Sequence, residues 1–251
     1  MSLFSQLARL GIATVLIGSP ALAATAKAPQ PTIAEIDRAA VTFISDGNAP
    51  GVSVAVVKGG HLLFAKAYGM ENLETASRAT VDTVFRAGSI TKQFVAAAVL
   101  QLAQNKSLSI DDQVSKYIPE LAEAKGLTLR MLLNQTSGLH DYTETPEFGA
   151  QMVQRHTQKE MIDYIASMKP LLDFAPGTKW AYSNTNYYVL GAVVERVSGD
   201  GLGQYLQANV IAPAGLKSTV IDDESDVVLH RASGYTRIKG QPGHYRNAQF
   251  V

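Results

Sequence analysis

The chain of 251 residues is 46% hydrophobic and 18% charged, the composition of an ordinary globular protein, which excludes a disordered tail, a collagen or a coiled coil. Lysine and arginine together number 22, as do aspartate and glutamate, so no net charge draws the protein to nucleic acid or to an anionic membrane surface. Because the chain has no cysteine, disulfides, thiolate catalysis and lipid attachment through an N-terminal cysteine are also excluded. We expect a small-molecule or peptide substrate and no nucleic-acid partner, and these properties leave the oligomeric state open.

The first 23 residues have the pattern of a secretory signal peptide. Arg9 is followed by an apolar run over 10–18 and by the small-residue motif Ala21-Leu22-Ala23, which predicts a leader over 1–23 that is cleaved after about Ala23. A membrane anchor is the alternative, but the apolar core is shorter than the roughly 20 residues that span a bilayer. We therefore expect a periplasmic or secreted protein with no stable membrane anchor after cleavage.

A short linker and a first helix follow the leader. Residues 24–31 are rich in alanine and proline and predict a flexible lead-in. Thr32 and Glu35 form a capping-box pattern before apolar residues at helical spacing, and Asp46-Gly47-Asn48 ends the helix. One domain is expected over 32–251.

The next segment predicts a β-hairpin over about 52–69. Val52, Val54 and Val56 alternate with smaller residues, and the pair Gly59-Gly60 separates this run from a second one. Since two strands alone are marginally stable in water, other strands or helices must complete the antiparallel sheet.

Four helical patterns then lie within about 80–200. They cover the segments 90–102, 127–133, 159–168 and 187–197, the last closed by Ser198-Gly199. The first has an apolar stripe broad enough for burial on most sides. Together the elements predict an α+β fold, in which an antiparallel sheet flanked by the N-terminal helix adjoins a helical subdomain.

The most apolar helix begins beside the only Ser-x-x-Lys of the chain. Ser89 is a natural N-cap there, and Lys92 lies three residues on, so the lysine nitrogen can approach the serine oxygen. A buried position and the positive end of the helix dipole both disfavour an ammonium ion, and a neutral amine can take the serine proton. The alternative is that Ser89 only caps the helix and Lys92 is a solvated surface residue.

A second motif, Tyr182-Ser183-Asn184, follows a Pro-Gly loop and precedes the last helix. A tyrosine in that position can act as an acid or base if cations lower its pKa, and Asn184 offers an amide that suits a substrate carbonyl. The alternative is a packed loop tyrosine, since Tyr245-Arg246-Asn247 repeats the bare pattern. The position after the Pro-Gly loop favours 182–184.

Three longer segments surround these motifs and resemble consecutive blocks of the serine β-lactamase-related family. They are AGSITKQFVAAAVLQLAQNKSLSIDDQVSKYIPEL, LTLRMLLNQTSGLHDY and FAPGTKWAYSNTNYYVLGAVVERVSG. With the opening helix and hairpin, the likeness covers about 32–237. The family groups class C β-lactamases, DD-carboxypeptidases, D-aminopeptidases and serine esterases, and it implies a β-lactamase/transpeptidase-like fold.

This resemblance implies roles for the candidate residues. Ser89 is the acylated nucleophile, Lys92 and Tyr182 are its proton-transfer partners, and Asn184 orients the substrate. The backbone N–H of Ser89 is expected to be one oxyanion donor, because a helix N-terminus favours negative charge. The loop around Tyr142 is expected to bind substrate, and no metal or nucleotide cofactor is implied.

The sequence departs from the family pattern at two places. Gln135 lies where the family often has histidine before Thr-Ser-Gly, and it is expected to affect loop packing but not the proton path. No Lys or His, Thr or Ser, Gly motif follows Tyr182; the nearest segment is Arg231-Ala232-Ser233-Gly234. We therefore expect a member that is incomplete at the C-terminus, without the strands and the second oxyanion donor, whose loss costs about 3 kcal/mol.

Rival interpretations are a different nucleophile and a protein without turnover. Ser53 lies in a Gly-x-Ser-x-Ala sequence that faintly resembles a nucleophile elbow, but it falls within an alternating strand. The five histidines show no metal-ligand spacing. A binding-only homologue would capture a peptide or β-lactam without releasing it. The sequence does not separate lactam, D-peptide and ester substrates.

Overall fold

The computed structural model describes residues 31–151, 154, 156–222 and 225–248. The predicted signal peptide over 1–23 lies outside these residues. Helices and small antiparallel sheets are combined as the sequence predicts, and the α+β fold class is confirmed. In the part of the chain that the structure describes, none of the helices is both long and apolar enough for a membrane span.

The first helix and the hairpin form where the sequence predicts them. Helix α1 spans Ile33–Ser45, and Thr32 and Glu35 close a reciprocal capping box at its N-terminus. Strand β1 (Gly51–Lys58) pairs antiparallel with strand β2 (His61–Asn72). Both turn glycines between the strands have positive φ, 57° and 79°, which glycine adopts without steric cost. The local turn chemistry thus sets the register of the hairpin.

Three further strands, of two or three residues each, are too short to give an alternating pattern in the sequence. Strand β3 (Ser77–Arg78) pairs with β2 and gives the sheet order β1-β2-β3. Strands β4 (Tyr235–Arg237) and β5 (Tyr245–Asn247) form a separate two-stranded sheet. The backbone of Ser233 donates to Glu71 of β2, which ties the segment before β4 to the first sheet.

Among the described residues, six α-helices make up the helical region. They are α2 (Thr91–Gln104), α3 (Leu129–Leu133), α4 (Phe148–Gln151), α5 (Gln158–Ser167), α6 (Asn184–Ser198) and α7 (Leu202–Leu206). The four predicted helical segments correspond to α2, α3, α5 and α6, and α6 begins three residues earlier than expected. It ends at Gly199, whose φ of 80° is the left-handed C-cap that the sequence predicts. The short helices α4 and α7 were not predicted.

The core lies between α2 and α6. Ala98 and Val99 of α2 and Leu190 and Val193 of α6 are fully buried in it. A fully buried valine or leucine side chain contributes about 1.5–3 kcal/mol. Because both helices are anchored along their length, the residues just before their N-termini are held in a fixed relation to one another. Ser89 precedes α2, and Tyr182 precedes α6.

Candidate active site

Ser89 lies in a short 3-10 turn, Gly88–Ile90, that leads into α2. The expectation that Ser89 caps this helix is wrong, because the N-cap is Ile90 and no side chain caps the helix there. The reason is that Ser89 lies within the 3-10 turn, one residue before the N-cap, and its hydroxyl is engaged by two other side chains. Gly88 has a φ of 52°, so the chain turns sharply just before the serine and leaves it exposed.

An amine and a phenol converge on the Ser89 hydroxyl. The phenol oxygen of Tyr182 lies 2.6 Å from Ser89 Oγ, and Lys92 Nζ donates to the same oxygen at 3.1 Å. Lys92 Nζ also lies 4.8 Å from the centroid of the Tyr182 ring. Lys92 is half-buried, not fully buried as expected. The structure therefore brings together the three residues that the sequence singled out as the acylation machinery.

The Tyr182 phenol has an environment that favours its ionised form. Burial raises the pKa of Tyr182, but hydrogen bonding with Lys92 and Ser89 and the positive charge of Lys92 outweigh it. The carboxylate of Asp141 acts in the opposite direction to Lys92. The net result is a pKa of Tyr182 below the ordinary value of a phenol, so that a larger fraction of this group is ionised at a given pH.

Asn184, the first residue of α6, lies behind the amine. Its Oδ1 accepts from Lys92 Nζ at 2.8 Å and from the Tyr182 phenol at 3.3 Å. Its Nδ2 donates to Asp141 at 3.0 Å and to Thr143 at 3.2 Å. An asparagine side chain has two donor hydrogens and one carbonyl acceptor, so the amide is occupied by protein partners on both sides. The expected role of Asn184 in orienting substrate stays a prediction.

Gln135 lies closer to the site than the sequence predicts. Its backbone carbonyl accepts from the N–H of Ala181, and its side-chain Oε1 accepts from the N–H of Ser183 at 2.9 Å. These two backbone groups flank Tyr182 on either side. Gln135 does not touch the phenol itself, but it holds the backbone that carries the phenol, and this contact was not predicted.

Tyr142 lies on the wall of a cavity of about 310 Å³ that also reaches Lys92 and Asn184. Its ring packs edge-on against Tyr188 and Phe148, with centroid distances of 5.9 Å and 5.6 Å. Burial and then the negative charge of Asp141 raise the pKa of Tyr142, so its phenol stays protonated at neutral pH. Tyr142 thus supplies an aromatic surface beside Lys92 and Asn184, and its expected role in binding substrate stays a prediction.

The other residues considered in the sequence lie elsewhere. Ser53 is an exposed residue within β1, opposite Ala67 of β2, so it is a strand serine and not a nucleophile elbow. His140 pairs with Asp173, and its Nδ1 lies 2.9 Å from the carboxylate. Within the described ranges, no group of three or more histidine, aspartate or glutamate side chains could hold a metal ion.

Comparison with known proteins agrees with the geometry. The profile of the family described as Beta-lactamase matches residues 36–248. The chain is 28% identical over 207 residues to Protein flp of Staphylococcus aureus strain MW2, which covers 80% of this chain and 41% of that protein. The chain thus spans less than half the length of this curated relative.

Solved structures show the same fold. The penicillin-binding protein homologue of Pyrococcus abyssi, an octamer, superposes with a TM-score of 0.75 at 28% identity, over 86% of this chain and 50% of that one. A D-stereospecific amidohydrolase from a Streptomyces species gives a TM-score of 0.69 at 30% identity, over 82% of this chain and 61% of that one. With the matching profile and the Ser89 cluster, these likenesses show that the chain belongs to the beta-lactamase family, a family of serine hydrolases.

Proposed function

We propose that this protein hydrolyses an amide, lactam or ester bond through an acyl-enzyme formed on Ser89. The observation that carries the proposal is the convergence of Lys92 Nζ and the Tyr182 phenol on Ser89 Oγ, at 3.1 Å and 2.6 Å. Both distances are within the reach needed for proton transfer to or from a nucleophile. An ordinary exposed serine is hydrogen-bonded to water, whereas Ser89 Oγ is contacted by an amine and a phenol.

Acylation begins with removal of the serine proton. The phenolate of Tyr182, stabilised by the charge of Lys92, accepts the proton of Ser89 Oγ as this oxygen attacks the carbonyl carbon. The Oγ–C bond forms, and the π electrons of the carbonyl move to the carbonyl oxygen. The C=O bond then re-forms as the bond from the carbonyl carbon to the leaving nitrogen or oxygen breaks, and Tyr182 gives its proton to that leaving atom. The acyl group remains on Ser89.

Deacylation reverses these roles with water as the nucleophile. Tyr182 takes a proton from water, the hydroxide adds to the acyl carbon, and the Ser89 oxygen leaves with the proton returned to it. The backbone N–H of Ser89, at the entry to α2, is suited to donate to the developing oxyanion. One such donor is worth about 2.7–4 kcal/mol in the systems where it has been removed.

The cavity beside the cluster suits an acyl group with an apolar or aromatic side chain. Tyr142, Tyr187 and Tyr188 line it together with Lys92 and Asn184. Gln158 and Glu195 add polar groups to this lining, and a combination of aromatic surface with a few placed polar side chains is typical of small-molecule sites. The predicted leader further supports a substrate that is met outside the cytoplasm.

Labelling with a fluorophosphonate probe tests the proposed nucleophile. We expect one phosphonate adduct per chain, mapped by peptide mass spectrometry to Ser89, and no adduct in Ser89→Ala. Ser53→Ala is the matched control, since Ser53 is an exposed serine on a strand and its loss should leave labelling unchanged. An adduct that persists in Ser89→Ala would refute the proposal.

Turnover of the acyl-enzyme is tested separately. The protein is incubated with a p-nitrophenyl ester, a D-amino-acid amide and a fluorescent penicillin, and release of product is followed beyond one equivalent. Release beyond one equivalent with any of them supports a hydrolase. A stable adduct on Ser89 without further release from all three contradicts turnover and supports the binding-only alternative.

A further inference from the structure

Asp141 is a buried carboxylate that the acylation steps do not use. It is 6% exposed and lies in the loop between α3 and α4. Its Oδ2 accepts from the backbone N–H of Asn184 at 3.1 Å and from Asn184 Nδ2 at 3.0 Å. Its Oδ1 accepts from the backbone N–H and the hydroxyl of Thr143, at 3.0 Å and 2.9 Å. Four donors thus surround a group that, when ionised, can only accept.

The hydrogen bonds around Asp141 allow only one of the two orientations of the Asn184 side-chain amide. If the amide rotated by 180°, its carbonyl oxygen would face the Asp141 carboxylate and two acceptors would oppose each other without a hydrogen. With Nδ2 held toward Asp141, Oδ1 must face the opposite way. There it accepts from Lys92 Nζ at 2.8 Å, and the same Lys92 Nζ donates to the Ser89 hydroxyl.

We propose that Asp141 is a positioning residue for the serine site, which fixes the Asn184 amide so that its oxygen holds Lys92 against Ser89. The inference rests on the proposed function of Ser89. Asp141 is hydrogen-bonded to Asn184 and Thr143; apart from the effect of its charge on the pKa of Tyr182, it acts on the site through Asn184. Thr143 completes the arrangement, because its hydroxyl donates to Asp141 and accepts from Asn184 Nδ2.

A simpler role for Asp141 is to cap helix α6. The N-cap residue Ser183 makes no side-chain cap bond, and Asp141 accepts from the N–H of Asn184, the first residue of the helix. A carboxylate at a helix N-terminus also interacts favourably with the helix dipole. If Asp141 only caps the helix, its substitution should lower the free energy of unfolding. If it also positions Asn184, the rate of Ser89 acylation should fall as well, even under conditions in which the variant is fully folded.

The variant Asp141→Asn separates these roles. The new amide keeps the shape of the side chain, but its NH2 group must face either Asn184 or Thr143, both of which present backbone N–H donors. When the new NH2 group faces Asn184, the conflict with Asn184 Nδ2 is relieved if the Asn184 amide turns its oxygen toward residue 141 and its NH2 toward Lys92, whereas the conflict with the backbone N–H of Asn184 remains. We expect the second-order rate constant for fluorophosphonate acylation of Ser89 to fall about 10-fold to 100-fold.

Asp112→Asn is the matched control. Asp112 is also a carboxylate that accepts from several donors, namely the backbone N–H of Ser109 and the side chains of Lys116 and Tyr117. It lies outside the serine site, so its substitution tests for a general loss of stability. We expect acylation within about twofold of the original chain for this variant, since distant substitutions act independently.

A second measurement does not depend on activity. The side-chain NH2 signals of Asn184, assigned by their loss in Asn184→Asp, report hydrogen exchange of the amide by NMR. We expect exchange in Asp141→Asn to be at least about tenfold faster than in the original chain and in Asp112→Asn, because both protecting acceptors are disturbed.

The possible results are distinguishable. If Asp141→Asn matches Asp112→Asn in both acylation and amide exchange, Asp141 does not position the amide and the inference is overturned. If the original chain is not acylated at Ser89, the proposed function fails, and the exchange measurement alone still decides whether Asp141 fixes Asn184. Faster exchange with unchanged acylation also overturns the inference, since orientation would then have no effect on the nucleophile.

Discussion

Ser89 Oγ and the Tyr182 phenol lie 2.6 Å apart although 93 positions separate them in the chain. The two residues are brought together because each lies two positions before one of the two helices that pack in the core, α2 and α6. Packing of these two helices therefore contributes to the distance, together with the hydrogen bonds of Gln135 to the backbone on either side of Tyr182. Core residues such as Val99 and Leu190 fix the geometry of a site that they do not touch.

Removal of the Tyr182 hydroxyl is predicted to slow acylation strongly. Tyr182→Phe keeps the ring that lies beside Lys92 but removes the group 2.6 Å from Ser89 Oγ. General-base catalysis contributes about 10²-fold to 10⁴-fold, and we expect a loss in this range in the rate of Ser89 acylation. The rate is measured with a fluorophosphonate probe or an activated ester.

Tyr117→Phe is the control for this change. Its hydroxyl donates to Asp112, so the substitution also removes one phenol hydrogen bond, but outside the serine site. Acylation should stay within about twofold of the original rate. An equal loss in both variants, or none in Tyr182→Phe, would show that the Tyr182 phenol is not the base.

The ionisation of Tyr182 is predicted to depend on Lys92. Burial opposes ionisation, and the interactions with Lys92 and Ser89 bring the pKa of Tyr182 below its ordinary value. In Lys92→Met the favourable charge and hydrogen bond are lost while burial remains, so the pKa of Tyr182 should rise. The charged groups that act on this phenol are Lys92 and Asp141, with Tyr187 as a neutral neighbour.

Absorbance of the phenolate near 295 nm measures this shift. The titration of Tyr182 is the difference between the original chain and Tyr182→Phe, and the same difference is taken in the Lys92→Met background. Lys66→Met is the matched control, because Lys66 Nζ lies 5.0 Å from the ring of Tyr68 in a similar cation-ring pair far from the site. A Tyr182 midpoint that is the same with and without Lys92 contradicts the prediction. In the original chain, acylation should rise with pH through that midpoint and then level off.

The sequence predicts those parts of the structure that depend on local chemistry. The capping box of Thr32 and Glu35 places the start of α1, the pair Gly59-Gly60 places the hairpin turn, and Gly199 ends α6. The approach of Lys92 to Ser89 is local as well, since the two residues lie within one helical turn. In each case the interacting groups are close in sequence.

The remaining parts depend on contacts between distant segments. Ser89 fails as an N-cap because its hydroxyl meets Tyr182, a contact that no local pattern encodes. Asp141 lies within a segment that resembles the family, but no local pattern distinguishes it, because its partner Asn184 is 43 positions away. A buried acid beside a Thr-Ser-Gly turn carries no periodic signal. Only the packed structure shows that Asp141 faces the amide of Asn184, which accepts from Lys92.

Gln135 is predicted to support both the stability of the protein and the position of Tyr182. Its Oε1 accepts from the backbone N–H of Ser183 and from Asn186 Nδ2, and both of these residues are buried. Gln135→Ala leaves two buried donors without their acceptor, at about 1–3 kcal/mol each. We expect the free energy of unfolding in urea to fall by about 2–6 kcal/mol, and acylation of Ser89 to slow at least about tenfold.

Two further variants separate the side chain from the backbone and from general destabilisation. Gln135 has a φ of 65°, which costs a residue with a side chain about 1 kcal/mol and glycine nothing, so Gln135→Gly should be about 1 kcal/mol more stable than Gln135→Ala. Both variants keep the backbone carbonyl that accepts from Ala181. They should acylate equally slowly, because both lack Oε1. Gln101→Ala, which removes a side-chain bond to the carbonyl of Asn209, should lower stability without slowing acylation. Acylation is compared at urea concentrations below the unfolding transition of each variant. If Gln135→Ala is acylated there at the original rate, the hydrogen bond from Ala181 N–H to the carbonyl of residue 135 is enough to hold Tyr182 in place, and the prediction is wrong.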